Sequence, residues 1–151
     1  LPNNRLTTAA GLPSTVSKIS PSELATGSGT GISDFARLST LSAQLGASGH
    51  FVFTLDPQVE GCLVQSRMFC PAIGIPEDPV SGNAHGLLGA YLLHHGLLPR
   101  DGDRAAFSGA QGQFVNRPGR VDVELEFKDG TLAGVWIIGS AAMVFETTIA
   151  L

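Results

Sequence analysis

Residues 77–85 read Glu77-Asp78-Pro79-Val80-Ser81-Gly82-Asn83-Ala84-His85 and open onto an apolar run, Gly86–Leu93. If that run is a helix, its first turn offers unpaired backbone N–H groups and about half a positive charge. Such a place holds carboxylates and phosphates. Gly82 lets the backbone come close to a ligand, and Asn83 is a cap residue whose side chain can also face one. Pro79 pushes Asp78 toward extended geometry. A carboxylate held beside an anion site suits acid–base work or the orienting of a substrate. The same residues also make an ordinary helix start, in which Asp78 and Asn83 only cap.

Other reactive side chains are sparser. Cys62 and Cys70 match no metal spacing and are too few for a disulfide framework, so reduced, mostly buried thiols in a cytoplasmic protein are expected. His94 and His95 are adjacent, and helical neighbours point about 100° apart, so they form no chelate and no metal is expected. Arg67 is positioned to pair with Glu77 or Asp78. His85, in the first helical turn, either touches substrate or packs beneath the loop.

The whole chain has 151 residues, enough for one domain with one core. With 43% hydrophobic and 15% charged residues it can bury that core and does not read as disordered. A net charge of −4 argues against a nucleic-acid binder, and no basic run suits an anionic membrane. No stretch approaches the roughly 20 apolar residues of a membrane span. The N-terminal residues show no signal-peptide pattern.

Several elements must position the motif. Residues 1–10 carry no strong pattern, and 11–151 read as a single unit. Gly11–Ile19 suits a short strand. Ser20-Pro21-Ser22-Glu23 is a capping box with proline at the first helical position. Phe35, Leu38, Leu41 and Leu45 recur at helical spacing, predicting a surface helix over Asp34–Leu45, capped by Ser33 and closed by Gly46. His50–Leu55 and Cys62–Phe69 read as strands, and Asn83–His95 as a helix apolar nearly all round, hence buried. Gly86 and Gly89 would let strands approach its axis. Residues 97–110 read as loop with one short strand. Val121–Phe127 alternates cleanly, Lys128-Asp129-Gly130 signals a hairpin, and Leu132–Ile138 and Ala142–Ile149 follow as strands. The expected fold class is α+β: mainly antiparallel strands in a barrel-like layer wrapped around one buried helix at about 83–95, with a surface helix at about 34–45.

Arg67-x-Phe69-x-Pro71, the run Gly74-Ile75-x-Glu77 through His85, Leu88 and Tyr91-Leu92 together resemble the signature of the phenazine-biosynthesis (PhzF-like) isomerases. Gln111-Gly112, Arg117-Pro118-Gly119 and Val121-Asp122-Val123 are similar to that family's C-terminal strands, so the resemblance covers roughly residues 48–148. It implies a diaminopimelate-epimerase fold of two lobes, each a sheet around a central helix, with the active site between them. It implies that this chain is the C-terminal lobe, with Asp78 catalytic and Gly82, Asn83, Ala84 and His85 binding substrate. The reaction implied is a proton shift on a small carboxylic acid without metal or cofactor, as in the isomerisation of a dihydro-hydroxyanthranilate. Two departures accompany the resemblance. Asn83 stands where the family commonly has Ser, and the family's proton-shuttling Glu belongs to an N-terminal lobe that would precede this sequence. The site therefore needs that lobe, or a second copy paired isologously as a homodimer. The alternative is a non-catalytic carboxylate-binding or dimerising module. Related epimerases use a Cys from each lobe, but Asn83 occupies that position here and a two-thiol mechanism is not expected.

Overall fold

Both early helices begin at caps that the sequence supplies. In the computed structural model, which describes residues 4–7, 13–26 and 34–149, α1 (Pro21–Thr26) starts at Ser20. The Ser20 backbone N–H donates to Glu23 Oε2 at 2.8 Å, and Glu23 N–H donates to Ser20 Oγ at 3.3 Å, closing the expected box. α2 (Phe35–Leu45) is capped by Asp34, whose carboxylate accepts from Arg37 N–H. Ser33, the expected cap, lies outside the described residues. Gly46 ends α2 in the left-handed conformation, as expected, with φ 57°.

The strands are β1 (Asn4–Thr7), β2 (Pro13–Lys18), β3 (Gly49–Thr54), β4 (Val64–Cys70), β5 (Ile75–Asp78), β6 (Arg104–Gln111), β7 (Gly119–Lys128) and β8 (Thr131–Ile138), and the third helix is α3 (Gly82–His94). They form one mixed sheet in the order β1-β2-β3-β4-β6-β7-β8, with β5 paired to β4 off that path. Two neighbours run parallel, β2 with β3 and β4 with β6. Parallel neighbours require a crossover, and the helices supply it: α1 and α2 lie in the first, β5 and α3 in the second. The fold is thus a mixed α/β arrangement with few helices and a sheet curled into a half-barrel.

Alternation along β3 divides its two faces. Phe51 and Phe53 turn toward α3, with the Phe51 ring 5.2 Å from His85 and the Phe53 ring 5.7 Å from Tyr91. His50, between α2 and β2, bonds Ser42 and Thr15 at 2.8 Å each. Phe51, Phe53, Leu88 and Leu92 are wholly buried, a contribution of about 1.5–3 kcal/mol each. The small residues of α3 act as expected. A Cβ on Gly89 would meet Leu125 and Phe107 side chains at 3.2–3.3 Å, and one on Gly86 would meet Ile137 at 3.2 Å.

The late strands hold two corrections. Residues 97–110, read as loop with one short strand, hold all but the last residue of β6, which is eight residues long and central between β4 and β7. Its Ala, Ser and Gly residues have weak strand preference, and pairing along both edges overrides it. Ala142–Ile149, read as a strand, has no regular structure, and Met143, Val144, Phe145 and Ile149 are 77–87% exposed. No described strand pairs with it, and a strand needs a partner for its backbone groups. The β7–β8 hairpin is as expected: Lys128 pairs with Thr131, and Asp129 and Gly130 both take positive φ.

Candidate active site

The motif spans the end of β5, a three-residue turn and the first turn of α3. Two ties hold its upstream side. Arg67, on β4, forms a bidentate pair with Glu77 at 2.9 and 2.7 Å, with side chains only 4% and 7% exposed. Arg67 also donates to the Leu24 carbonyl, and its guanidinium lies 4.8 Å from the Phe69 ring and 4.6 Å from the Phe114 ring. Of the two acids open to Arg67 in the sequence, the fold chooses Glu77. Asp78 is thereby left without the cation.

Asp78 is half-buried on the last residue of β5, opposite Met68. Its Oδ2 accepts a 2.5 Å bond from the Ser81 hydroxyl. Ser81, not Asn83, is the N-cap of α3, and its hydroxyl serves Asp78 instead of the helix. The first helical bond runs from His85 N–H to the Ser81 carbonyl, so the N–H groups of Gly82, Asn83 and Ala84 precede the i→i−4 ladder. Gly82 is half-buried and Asn83 exposed, at the second helical position.

Of the two places open to His85 in the sequence, the structure gives the one beneath the turn, and Ala84 is buried beside it. The Ala84 and His85 side chains are 5% and 0% exposed, turned into the core beneath the turn. The 3.6-residue helical period that exposes Asn83 points the next two residues inward. His85 braces the turn: Nδ1 lies 2.9 Å from the Ser81 carbonyl and so must carry the proton, while Nε2 lies 3.4 Å from Ser66 Oγ. Burial pushes its pKa below the ordinary range, partly opposed by the bond to Ser81. Cys70 is buried, its thiol pushed up to about 11 by burial and secondarily by the negative charge of Asp78. Such a thiol is a poor nucleophile.

Gln111 is the residue that the sequence reading left out of the site. Fully buried at the end of β6, it donates to the Asp78 carbonyl at 2.6 Å and to Ser81 Oγ at 3.1 Å, and accepts from Ser81 N–H at 3.2 Å. Next to it Gly112 has φ 92°, and a Cβ there would run into the Arg117 and Pro79 carbonyls. Only glycine suits that position. The available signal was the Gln111-Gly112 pair, which the resemblance placed among the C-terminal strands without giving it a role at the site.

A half-barrel sheet carrying a carboxylate turn at a helix mouth defines this as a mixed α/β domain of the phenazine-biosynthesis type. The chain belongs to the PhzC-PhzF family of phenazine biosynthesis-like proteins, whose pattern matches residues 25–147. It is 42% identical over 113 residues to the uncharacterized isomerase YddE of Salmonella typhimurium, covering 75% of this chain and 37% of that protein. It is 33% identical over 82 residues to the trans-2,3-dihydro-3-hydroxyanthranilate isomerase of Pseudomonas aeruginosa, covering 54% and 28%. The crystal structure of the Bacillus anthracis phenazine biosynthesis protein of the PhzF family shares the fold, with TM-score 0.58 and 17% identity over 84% of this chain and 45% of that one. This chain therefore spans little more than a third of the length of that Salmonella relative. Among the described residues no helix is long and apolar enough to cross a membrane.

Proposed function

We propose that this chain is one lobe of a cofactor-independent isomerase, the C-terminal one, and forms the substrate-holding side of a site that moves a proton on a small carboxylic acid. The observation that carries this reading is the pairing of a held carboxylate with a helix mouth. Asp78 is oriented by Ser81, and the unladdered N–H groups of Gly82, Asn83 and Ala84 lie immediately beyond it. The N–H groups would bind the substrate carboxylate. Asp78 would take up or give back a proton, or orient the reacting carbon. The α3 helix serves as the central helix of the lobe, and the opposing acid comes from a second lobe or from a second copy of the chain. Membership of a family whose curated relatives are named isomerases supports this.

A second reading is favoured by one specific contact. Glu77, the acid beside Asp78, is committed to Arg67. This chain alone would then bind carboxylates, or dimerise, without turnover. Amide NMR of the chain titrated with benzoate and cyclohexanecarboxylate tests the shared part of both readings: Gly82, Asn83 and Ala84 should shift. Unmoved signals across both probes would sink the anion site. Deuterium uptake from solvent into trans-2,3-dihydro-3-hydroxyanthranilate separates the two. With the chain joined to the N-terminal lobe of a PhzF-like relative, which supplies the opposing acid, uptake abolished in Asp78→Asn supports the isomerase lobe, and binding without uptake supports the binding module.

A further inference from the structure

We infer that Gln111 is the positioning residue of this site: its amide dictates which way the Ser81 hydroxyl points and thereby which oxygen of Asp78 is left for substrate. This rests on the proposed reading of the Asp78 turn as the site, and extends it to a side chain on a distant strand.

The hydrogen-bond inventory forces the direction. A glutamine amide has two N–H donors and one acceptor oxygen. Here both donors and the oxygen are engaged, by the Asp78 carbonyl, by Ser81 Oγ and by Ser81 N–H respectively. Turning the amide over would set its NH₂ against the Ser81 N–H and its oxygen against the Asp78 carbonyl, two repulsive contacts in a fully buried place. The orientation is therefore unique. Because Gln111 donates to Ser81 Oγ, the hydroxyl proton is directed away from Gln111, and the Asp78 Oδ2 at 2.5 Å receives it. Asp78 Oδ1 keeps no hydrogen-bond partner among the described residues. One carboxylate oxygen is anchored and the other is available.

The surroundings make Gln111 a rigid support. It sits on β6, paired with Ser66 on β4 and with Gly119 on β7. The backbone beside it presses on the same turn: a Cβ on Gly112 would fall 2.7 Å from the Pro79 carbonyl. A Cβ on Gly119 would collide with Val80. The turn between Asp78 and Ser81 is thus clasped between the end of β6 and the start of β7, and Gln111 is the only side chain among the described residues that bonds both of its ends.

The test uses the whole chain with Gln111→Met, which keeps length and apolar bulk, Gln111→Glu, which keeps only the acceptor, and Ser81→Ala. In Gln111→Met, hydrogen exchange at the Ser81 amide should quicken about tenfold relative to Val123 on β7, as expected for one lost bond. Gln111→Glu, whose second oxygen would face the Asp78 carbonyl, should not restore that protection. Both substitutions should move the Asp78 carboxyl carbon resonance in the same direction as Ser81→Ala, and Gln111→Met combined with Ser81→Ala should move it no further than Ser81→Ala alone. Unchanged Ser81 exchange in Gln111→Met, or additive shifts in the double variant, would overturn the inference. Benzoate distinguishes this from failure of the site itself. If the wild-type chain ignores benzoate, the proposed site fails, while the exchange and carboxyl signals still decide what Gln111 does. If the wild type responds, Gln111→Met should weaken benzoate binding severalfold, and equal binding would count against positioning.

Discussion

Replacing Arg67 with Met should be among the most damaging single changes outside the apolar core. The Arg67–Glu77 pair is bidentate and nearly sealed from water, with side chains 4% and 7% exposed. Met fills much of the space between Phe69 and Phe114 but leaves the Glu77 carboxylate buried without its partner. Breaking a buried pair from one side costs about 3–5 kcal/mol. For a chain of this size each kcal/mol moves the melting temperature by about 2–4 °C, so a fall of roughly 6–20 °C is expected. The double variant Arg67→Met, Glu77→Leu removes both charges and should recover much of the loss, because an apolar pair of similar volume is often as stable as the ions it replaces. What remains lost should be about 1 kcal/mol, from the Leu24 carbonyl deprived of its donor. Urea unfolding followed by circular dichroism gives all corners of the cycle. A cost below about 1 kcal/mol for Arg67→Met, or effects that simply add in the double variant, would refute the claim that the pair is buried and coupled.

Other expectations follow from single sites. Gly109→Ala should destabilise by about 1–3 kcal/mol, since its Cβ would fall 2.5 Å from a His85 ring that is hydrogen-bonded at both nitrogens; unchanged urea midpoints would contradict this. Burial lowers the pKa of both His50 and His85 below 6.5. The unfolded chain therefore binds more protons below that pH, so stability should be full above 6.5 and decline as pH falls through the folded values. Urea midpoints at about pH 7.5 and 5.5 measure the slope, which His85→Gln should flatten. With its thiol pushed up to about 11, Cys70 in the folded chain should react with iodoacetamide far more slowly than half-buried Cys62, as mass spectrometry of labelled peptides would show.

Local signals in the sequence determined a good deal. The Ser20 box, the left-handed Gly46, the Phe35-to-Leu45 periodicity, the alternation of β7 and the Asp129-Gly130 turn each depend on residues within a turn or two of one another, and each appears where the pattern puts it. The nine-residue motif also announced the start of α3. The tertiary structure decided which groups those elements bring together. It made a central strand of the small residues in β6, gave Arg67 to Glu77 instead of Asp78, turned Ala84 and His85 inward, and carried Gln111 thirty-three positions along the chain to bond the Asp78 carbonyl. It also left 142–149, strand-like in sequence, without regular structure. The periods of 3.6 and 2 residues are properties of the backbone and can be read along the chain. Which edge lies next to which, and so which donor meets which acceptor, depends on strand order and exists only after the sheet has formed.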